Sequence, residues 1–340
     1  MFSSKPLPIL DHMPLEIKEK IVGYTDAFDK IRLRQCCKCF KNIVDNSEFV
    51  YDDLDFSWYF KEKSTTVQVT SIDRRRISKH SGDHTDSALE FLEAFFQRHS
   101  RIRLKFLTIY LNYIFHSSEM YDDEEEYFEC KKRLREQLTR IFFRFQDKLS
   151  VSMLIINSDR NGKDVMTILP YLKPGTLRNI KIFPTTSVSS TDRSLTELDL
   201  SKIAETEQWK QATFLGIRFY TDSGNLFLER TAHFTIMNFH TPLLKLEDVK
   251  NILEKMMCEN GWTYRAVHFD KSEFDEINKY LSGFEIVDRV EKTFPREHSK
   301  FTIHRGGYKC RITAGRDYGS MIFCGLEKHI ECYDCVSLIP

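Results

Sequence analysis

The sequence has no excess of charge of either sign. Its 340 residues include 50 Lys and Arg against 50 Asp and Glu, so the formal net charge is zero. A neutral chain exerts no long-range attraction on nucleic acid or on an anionic membrane surface. We therefore expect the partner of this chain to be another protein, with no membrane contact.

Long hydrophobic runs and secretion signals are also lacking. The longest apolar stretch, Phe106–Phe115, is about half of the ~20 residues that span a bilayer. The first ten residues contain Lys5, Pro6 and Pro8, which leave no apolar core for a signal peptide. The nine Cys are odd in number and irregularly spaced, and no Asn lies in an Asn-x-Ser/Thr sequon. These features predict reduced thiols and a location in the cytoplasm, the nucleus or both.

Motifs of catalysis and nucleotide binding are missing as well. The sequence contains no GxSxG elbow, P-loop, GxGxxG or HExxH. A zinc site is the metal hypothesis to weigh, because Cys36, Cys37 and Cys39 cluster and Cys332 and Cys335 form a CxxC. Neither cluster has a second pair at the spacing of a zinc finger. We therefore expect no metal, no cofactor and no catalytic residue.

What the sequence does have is enough apolar material for a packed core. Hydrophobic residues make up 41% of the chain and aromatic residues 13%, with 27 Phe. This composition argues against disorder. The length is sufficient for two domains.

The first organised segment, residues 10–48, predicts three short helices. Pro14 marks the start of the first helix, and Ile17, Ile21 and Tyr24 recur on one of its faces. A unit this small buries little apolar surface, and it shows no disulfide pattern. It therefore needs a partner to cover part of its surface.

A dozen positions of this segment follow a familiar order and spacing. They are Met13-Pro14-Leu15-Glu16-Ile17, Ile21, Asp29, Ile31, Leu33-Arg34, Cys37-Lys38, Phe40-Lys41 and Ile43. In these residues the segment resembles an F-box, in which Met13 and Tyr24 replace the usual leucines but remain apolar. The resemblance implies docking on a Skp-type adaptor of a cullin–RING ubiquitin ligase, although an ordinary helical subdomain with internal apolar stripes is the alternative. The residues implied in the adaptor contact and the small core behind it are Met13, Pro14, Ile17, Ile21, Leu33, Arg34, Cys37 and Phe40.

Beyond the third helix the pattern changes to strands. Residues 49–85 predict a β-rich connector, because apolar residues alternate with polar ones over Leu54–Phe60 and again over Val67–Val69. Arg74-Arg75-Arg76 and the stretch Ser78–Asp86 predict a solvated loop, and a weak nuclear-localisation patch is the alternative for the three arginines.

From residue 86 to about 330, predicted helices and strands alternate. This order favours an α+β fold overall, with the three-helix F-box followed by an α/β domain whose sheet is mostly parallel and can be curved like a leucine-rich repeat. A short tail, residues 331–340, follows. The predicted elements include helices at Asp164–Leu172 and Leu195–Lys210 and closing hairpin strands near Phe301–His304, Lys309–Thr313 and Met321–Cys324.

Three strings follow the first segment in order: Ile168–Leu177 with Ile180, Glu205–Ala212 and His233-Phe234. In these strings the second domain resembles the FTH domain of the large nematode family of F-box proteins. This resemblance implies a substrate receptor whose FTH domain holds a target protein. We place the target contact on the faces of two predicted strands, at Arg218, Tyr220, Thr235, Met237 and Phe239.

Two other functions are compatible with the same sequence. The first is a scaffold or regulator that uses both modules without causing degradation, which co-purification with a cullin would distinguish. The second is an α/β enzyme whose site has no recognised motif, which a tightly bound metabolite or metal would reveal.

Overall fold

The computed structural model describes residues 13–60, 62–82, 85–112, 124–159, 161–184, 198–220, 230–258, 264–281, 286–292, 298–305, 308–315 and 319–325. These residues form two compact units. The first takes in the described residues up to Lys181 together with Thr206–Gln211, and the second takes in Ile182–Pro184, residues 198–205 and the described residues from Ala212 onward. Each unit is described by itself.

The first unit begins with the three predicted helices. They are α1 (Leu15–Tyr24), α2 (Ala27–Cys36) and α3 (Lys38–Asp45). Helix α1 starts directly after Pro14, and the Asp26 carboxylate caps α2 by accepting the N–H groups of Phe28 and Asp29 at 2.7 and 3.2 Å. Phe40 and Val44 of α3 are fully buried between the helices. These helices fill a small core, as expected for a unit of this size.

The remainder of the first unit is a sheet with helices. Strand β1 lies between β2 and β4, antiparallel to the former and parallel to the latter, and β4 is parallel to β5. The strand order is β6-β5-β4-β1-β2-β3. The elements are β1 (Glu48–Tyr59), β2 (Ser64–Thr70), β3 (Arg76–Ser81), α4 (Thr85–Gln97), β4 (Arg101–Asn112), α5 (Glu124–Phe145), β5 (Leu149–Ser158), α6 (Lys163–Met166), β6 (Asn179–Pro184) and α7 (Glu207–Gln211).

The second unit has parallel strands followed by antiparallel ones. Strands β7, β8 and β9 are parallel neighbours, whereas β13, β12, β11 and β10 continue from β9 as an antiparallel series. The α+β fold and the closing hairpins are thus confirmed. The elements are β7 (Phe214–Tyr220), β8 (Ile236–Leu244), α8 (Leu246–Cys258), β9 (Tyr264–Ser272), α9 (Phe274–Leu281), β10 (Ile286–Lys292), β11 (His298–Arg305), β12 (Tyr308–Gly315) and β13 (Gly319–Gly325).

A repeated triad of buried residues defines the parallel strands. In each triad three apolar side chains at positions i, i+3 and i+5 are at most 2% exposed. The spacing differs from simple alternation because the pattern of burial slips by one residue, for example at Asp52-Asp53 of β1, where both side chains are half-exposed. The triads are Tyr51-Leu54-Phe56, Leu104-Leu107-Ile109 and Val151-Leu154-Ile156 in the first unit, and Ala212-Leu215-Ile217 and Phe234-Met237-Phe239 in the second.

Helices cover the triad side of the sheet in the first unit. The Tyr51 ring meets Phe95 of α4 edge-on at 5.2 Å, and Trp58 of β1 stacks on Tyr127 of α5 at 5.8 Å. The Tyr51 hydroxyl also donates to Nε2 of His99, 2.9 Å away, while Nδ1 of His99 donates to the Phe95 carbonyl. Burial lowers the pKa of His99 to about 4. The ring is therefore neutral, and its Nε2 can accept the hydrogen bond from the Tyr51 hydroxyl.

The opposite side of this sheet is only half covered. Asp53, Asp55, Phe106, Met153 and Ile155 lie on it with intermediate exposure. Partial burial and the neighbouring Asp55 raise the pKa of Asp53 to about 6. This side therefore combines apolar rings and chains with carboxylates that are poorly hydrated.

Three predictions of secondary structure were wrong. The region predicted as a loop from Arg74 contains β3, because pairing with β2 stabilises a strand that its polar sequence does not favour. The helix predicted over Asp164–Leu172 is only α6 followed by a 3-10 turn at Leu169–Tyr171, since Pro170 has no N–H to donate. Of the helix predicted over Leu195–Lys210, only α7 forms among the described residues; upstream, the Asp199 side chain accepts the Ser201 N–H and holds a turn.

A buried ion cluster joins α5 to α6. Lys131 Nζ lies 2.8 Å from Asp164 Oδ2, and the two side chains are 2% and 0% exposed. Arg135 Nε lies 2.8 Å from Asp164 Oδ1, and the Asp159 N–H donates to Asp164 Oδ2 at 2.9 Å. Asp164 thus compensates two cations and orients the loop after β5.

We expect Asp164→Asn to lower the free energy of unfolding by about 3–5 kcal/mol, because it leaves Lys131 buried without its counter-ion. The measurement is urea unfolding followed by fluorescence of Trp58 and Trp209, both of which are buried in the first unit. The Lys131→Met/Asp164→Asn double variant removes both charges and should recover part of the loss. Equal stability of Asp164→Asn and the wild-type chain would contradict the role of this cluster.

Candidate functional site

Helix α1 presents apolar side chains to solvent. Leu15 is 53% exposed, Ile17 43% and Tyr24 92%, whereas Lys18 and Val22 on the inner side are 5% and 2% exposed. The predicted stripe of Ile17, Ile21 and Tyr24 is thus the outer side of the helix. A small unit that turns large apolar residues outward has a surface suited to a partner.

The other predicted docking residues lie on α1, α2 and α3 at different depths. Arg34 is exposed and forms an ion pair with Asp45 of α3, which fixes the two helices relative to each other. Phe40 belongs to the interior, with 0% exposure. Of the eight predicted residues, Pro14, Ile17 and Arg34 are exposed, Met13, Ile21, Leu33 and Cys37 are half-exposed, and Phe40 is buried. Their role in adaptor binding stays a prediction.

The predicted contact residues leave out the two most exposed apolar residues of α1, Leu15 and Tyr24. Their exposure follows from the small size of the unit, since three helices cannot bury every apolar side chain they carry. At 3.6 residues per turn, Tyr24 lies on the same side of α1 as Ile17, whereas Leu15 lies on the side of Lys18 and Val22. We call Pro14, Ile17 and Tyr24 the α1 surface.

The side of α2 away from this surface packs against the sheet. Phe28 of α2 meets the Tyr51 ring of β1 edge-on at 5.8 Å. Lys30 Nζ donates to the Glu48 carbonyl at 2.7 Å, and burial lowers the pKa of Lys30. These contacts attach the helical segment to β1 and involve no residue of the α1 surface.

A single arginine of the β2–β3 turn completes this attachment. Arg75 binds Asp29 of α2 in a bidentate manner, with Nη1–Oδ1 and Nη2–Oδ2 distances of 2.8 and 2.9 Å. It also pairs with the capping residue Asp26 and, through Nε, with Asp73 at 2.6 Å. We name Arg75 with these three carboxylates the Arg75 clamp. No local sequence pattern predicts this clamp, because Arg75 and Asp29 are 46 residues apart.

Arg75→Ala should lower the free energy of local opening of α2 by about 1–2 kcal/mol. Hydrogen bonds to charged groups are among the stronger ones, but partial solvation of this site reduces their contribution. Native-state hydrogen exchange of the α2 amides measures this change. Arg74→Ala is the matched control, since Arg74 is exposed in the same turn. If the α2 amides exchanged at the same rate in both variants, the clamp would have no energetic role.

The predicted target-binding residues are not all accessible. Thr235 is half-exposed just before β8, but Met237 and Phe239 are 1% and 0% exposed and belong to a buried triad. A buried side chain offers no atoms to a partner, so Met237 and Phe239 are withdrawn as contacts. Arg218 and Tyr220 lie on β7, and their side chains fall outside the described part of the structure.

Two of the three sequence strings that carry the second resemblance, Ile168–Leu177 and Glu205–Ala212, contact each other. The Gln208 side-chain amide donates to the carbonyls of Pro170 and Leu172 at 3.0 and 2.6 Å. Trp209 beside it is 0% exposed. These strings therefore build the interior of the first unit.

Among the described residues, no three His, Cys, Asp or Glu side chains are grouped so that they could hold a metal ion. Cys36, Cys37 and Cys39 are free thiols, and Cys332 and Cys335 lie outside the described residues. The described part of the chain has no helix that combines the length and the apolar character needed to cross a bilayer.

Comparison with known protein families identifies both modules. The F-box domain model matches residues 10–52, and the FTH domain model matches residues 132–283. No curated protein matches the chain significantly. The predicted architecture, an F-box followed by an FTH domain, is confirmed; the predicted boundaries of the intervening segments stay predictions.

Proposed function

We propose that this chain, which contains an F-box and an FTH domain, is a substrate receptor of a Skp–cullin–F-box ubiquitin ligase. An F-box domain supports a role in ubiquitin-ligase substrate recognition or in another protein–protein interaction. In the proposal the F-box binds a Skp-type adaptor, the FTH domain holds the target, and the complex works in the cytoplasm or nucleus.

The observation that carries this proposal is the α1 surface. Its exposed Ile17 and Tyr24 lie within the F-box match. Protein interfaces concentrate their binding energy in a few apolar or aromatic anchors that become buried in the complex. The contacts of α2 with β1 and Arg75 lie elsewhere, so a bound adaptor leaves the rest of the first unit in place.

In this role the chain itself would catalyse no reaction. F-box proteins are typically non-catalytic adaptors, and the ubiquitin transfer would be carried out by the other subunits. The chain would bring a target close to the conjugating enzyme, which raises the local concentration of the acceptor lysine.

Ile17→Asp should weaken adaptor binding at least 100-fold, because it places a charge in the middle of an apolar contact, at a cost of several kcal/mol. Titration of the purified chain with a Skp-type adaptor, followed by calorimetry, measures this loss. Folding should be unaffected, since Ile17 is 43% exposed.

Phe128→Asp serves as the control for this substitution. Phe128 is 53% exposed on α5, outside the F-box match, so the same apolar-to-acidic change should leave adaptor affinity unchanged. Wild-type affinity of the Ile17→Asp chain would show that the α1 surface is not the docking site.

The isolated chain should not transfer ubiquitin. With activating and conjugating enzymes alone we expect no conjugates, and conjugates should form only after adaptor, cullin and RING subunits are added. Immunoblotting of such a reconstitution detects both cases. Transfer by the chain alone, lost on mutation of one Cys, would replace the adaptor proposal with a catalytic thiol.

A further inference from the structure

Strand β3 has a free edge. It pairs with β2 over six residue pairs, from Thr70↔Arg76 to Thr65↔Ser81, and it is the last strand in the order of the sheet. No described strand lies on its other side. Every residue from Arg76 to His80 is exposed. An edge of this kind presents a row of unpaired backbone N–H and C=O groups.

The free edge carries positive charge. From Arg74 to Ser81 the sequence has four Arg or Lys residues and no Asp or Glu. Arg75 is engaged in the Arg75 clamp, and Arg76 lowers the pKa of Asp53 against the stronger, opposite effect of burial. Arg74 and Lys79 are exposed, and no described acidic side chain forms an ion pair with either. The edge can thus attract acidic groups.

Both sides of β3 contribute to this surface. The cross-strand pairs place Ile77 and Lys79 on the side of Val69 and Val67, and Arg76, Ser78 and His80 on the other side. Ile77 is 39% exposed, and Ile72 in the preceding turn is 59% exposed. A strand added at this edge would therefore lie beside Lys79 and Ile77 on one side of the sheet, and beside Arg76 and Ser78 on the other.

A second copy of the chain does not suit this edge. Antiparallel pairing of β3 with itself would bring Arg76 of one copy opposite or diagonal to Lys79 or His80 of the other. Like charges in opposed positions destabilise a sheet. Charged residues on edge strands also protect them against indiscriminate pairing. The cations of β3 repel a basic strand most strongly and a neutral strand less strongly. The suitable occupant is acidic.

We propose that the free edge of β3 binds an extended segment rich in Asp and Glu from a partner protein, by strand addition. Backbone hydrogen bonds to β3 supply affinity, and carboxylates at alternating positions of the segment pair with Arg76 and Lys79. This surface lies outside the α1 surface and outside the FTH match. It functions whether or not the F-box recruits an adaptor, so failure of either proposal leaves the other intact.

The test uses the full-length chain and a fluorescent synthetic peptide of alternating Glu and Thr. Fluorescence anisotropy should show saturable binding that weakens as salt is raised. The same peptide with N-methyl groups on all its amides keeps its charge but loses its backbone donors, and it should bind roughly tenfold more weakly or worse. Equal binding of the two peptides would contradict strand addition. This comparison leaves the protein unchanged, so folding cannot affect it.

The Arg76→Glu/Lys79→Glu variant tests the location. Its affinity for the Glu-Thr peptide should fall at least tenfold. The Lys132→Glu/Arg133→Glu variant, which makes the same charge change on exposed residues of α5, should keep the wild-type affinity. Unchanged affinity of the β3 variant would overturn the proposal. Tight binding of single-stranded RNA, with no binding of the peptide, would also overturn it in favour of a nucleic-acid edge.

Discussion

The first unit depends on one packing constraint: β1, β4 and β5 each bury three apolar side chains, at i, i+3 and i+5, on the same side of the sheet. Tyr51, Leu54 and Phe56 satisfy it in β1, and Leu104, Leu107 and Ile109 satisfy it in β4. Because a shift of one residue would turn these side chains to the opposite side, the triads fix the register of neighbouring strands. The half-exposed carboxylates of Asp53 and Asp55 on the other side are a consequence of that register.

The same constraint decides where the F-box is held. Strand β1 begins shortly after α3 and lies between β2 and β4, so its first residues bring the helical segment directly to the sheet. Phe28 and Lys30 of α2 then meet Tyr51 and Glu48 of β1. Helix α2 uses its inner side for this attachment, and the apolar residues of α1 remain available. A small helical module thus gains stability from the sheet without burying its α1 surface.

The two interaction surfaces proposed for the first unit differ in their physics. The α1 surface is apolar and acts through burial of a few large side chains, so its affinity depends little on salt. The β3 edge acts through backbone hydrogen bonds and long cationic side chains, so it selects a partner by charge. The Arg75 clamp connects the turn before β3 to the first turn of α2 and includes no residue of the α1 surface.

The sequence by itself determined the features that depend on neighbours along the chain. These are the three short helices with Pro14 at the start of the first, the F-box and FTH architecture, the α+β class and the antiparallel hairpins of the last strands. Periodicity, caps and turns are local, so the residues that encode them are close together. For the same reason the exposed stripe of Ile17, Ile21 and Tyr24 was recognised, although its outward orientation was not.

Only the tertiary structure decided the features that depend on distant residues. Strand β3 forms because β2 offers it a ladder, the Arg75 clamp forms across 46 residues, and Met237 and Phe239 are buried because their strand contributes them to a triad. In each case a polar or apolar side chain has several possible environments, and the free energy of pairing or burial selects one after the chain has folded. That selection leaves no local pattern in the sequence.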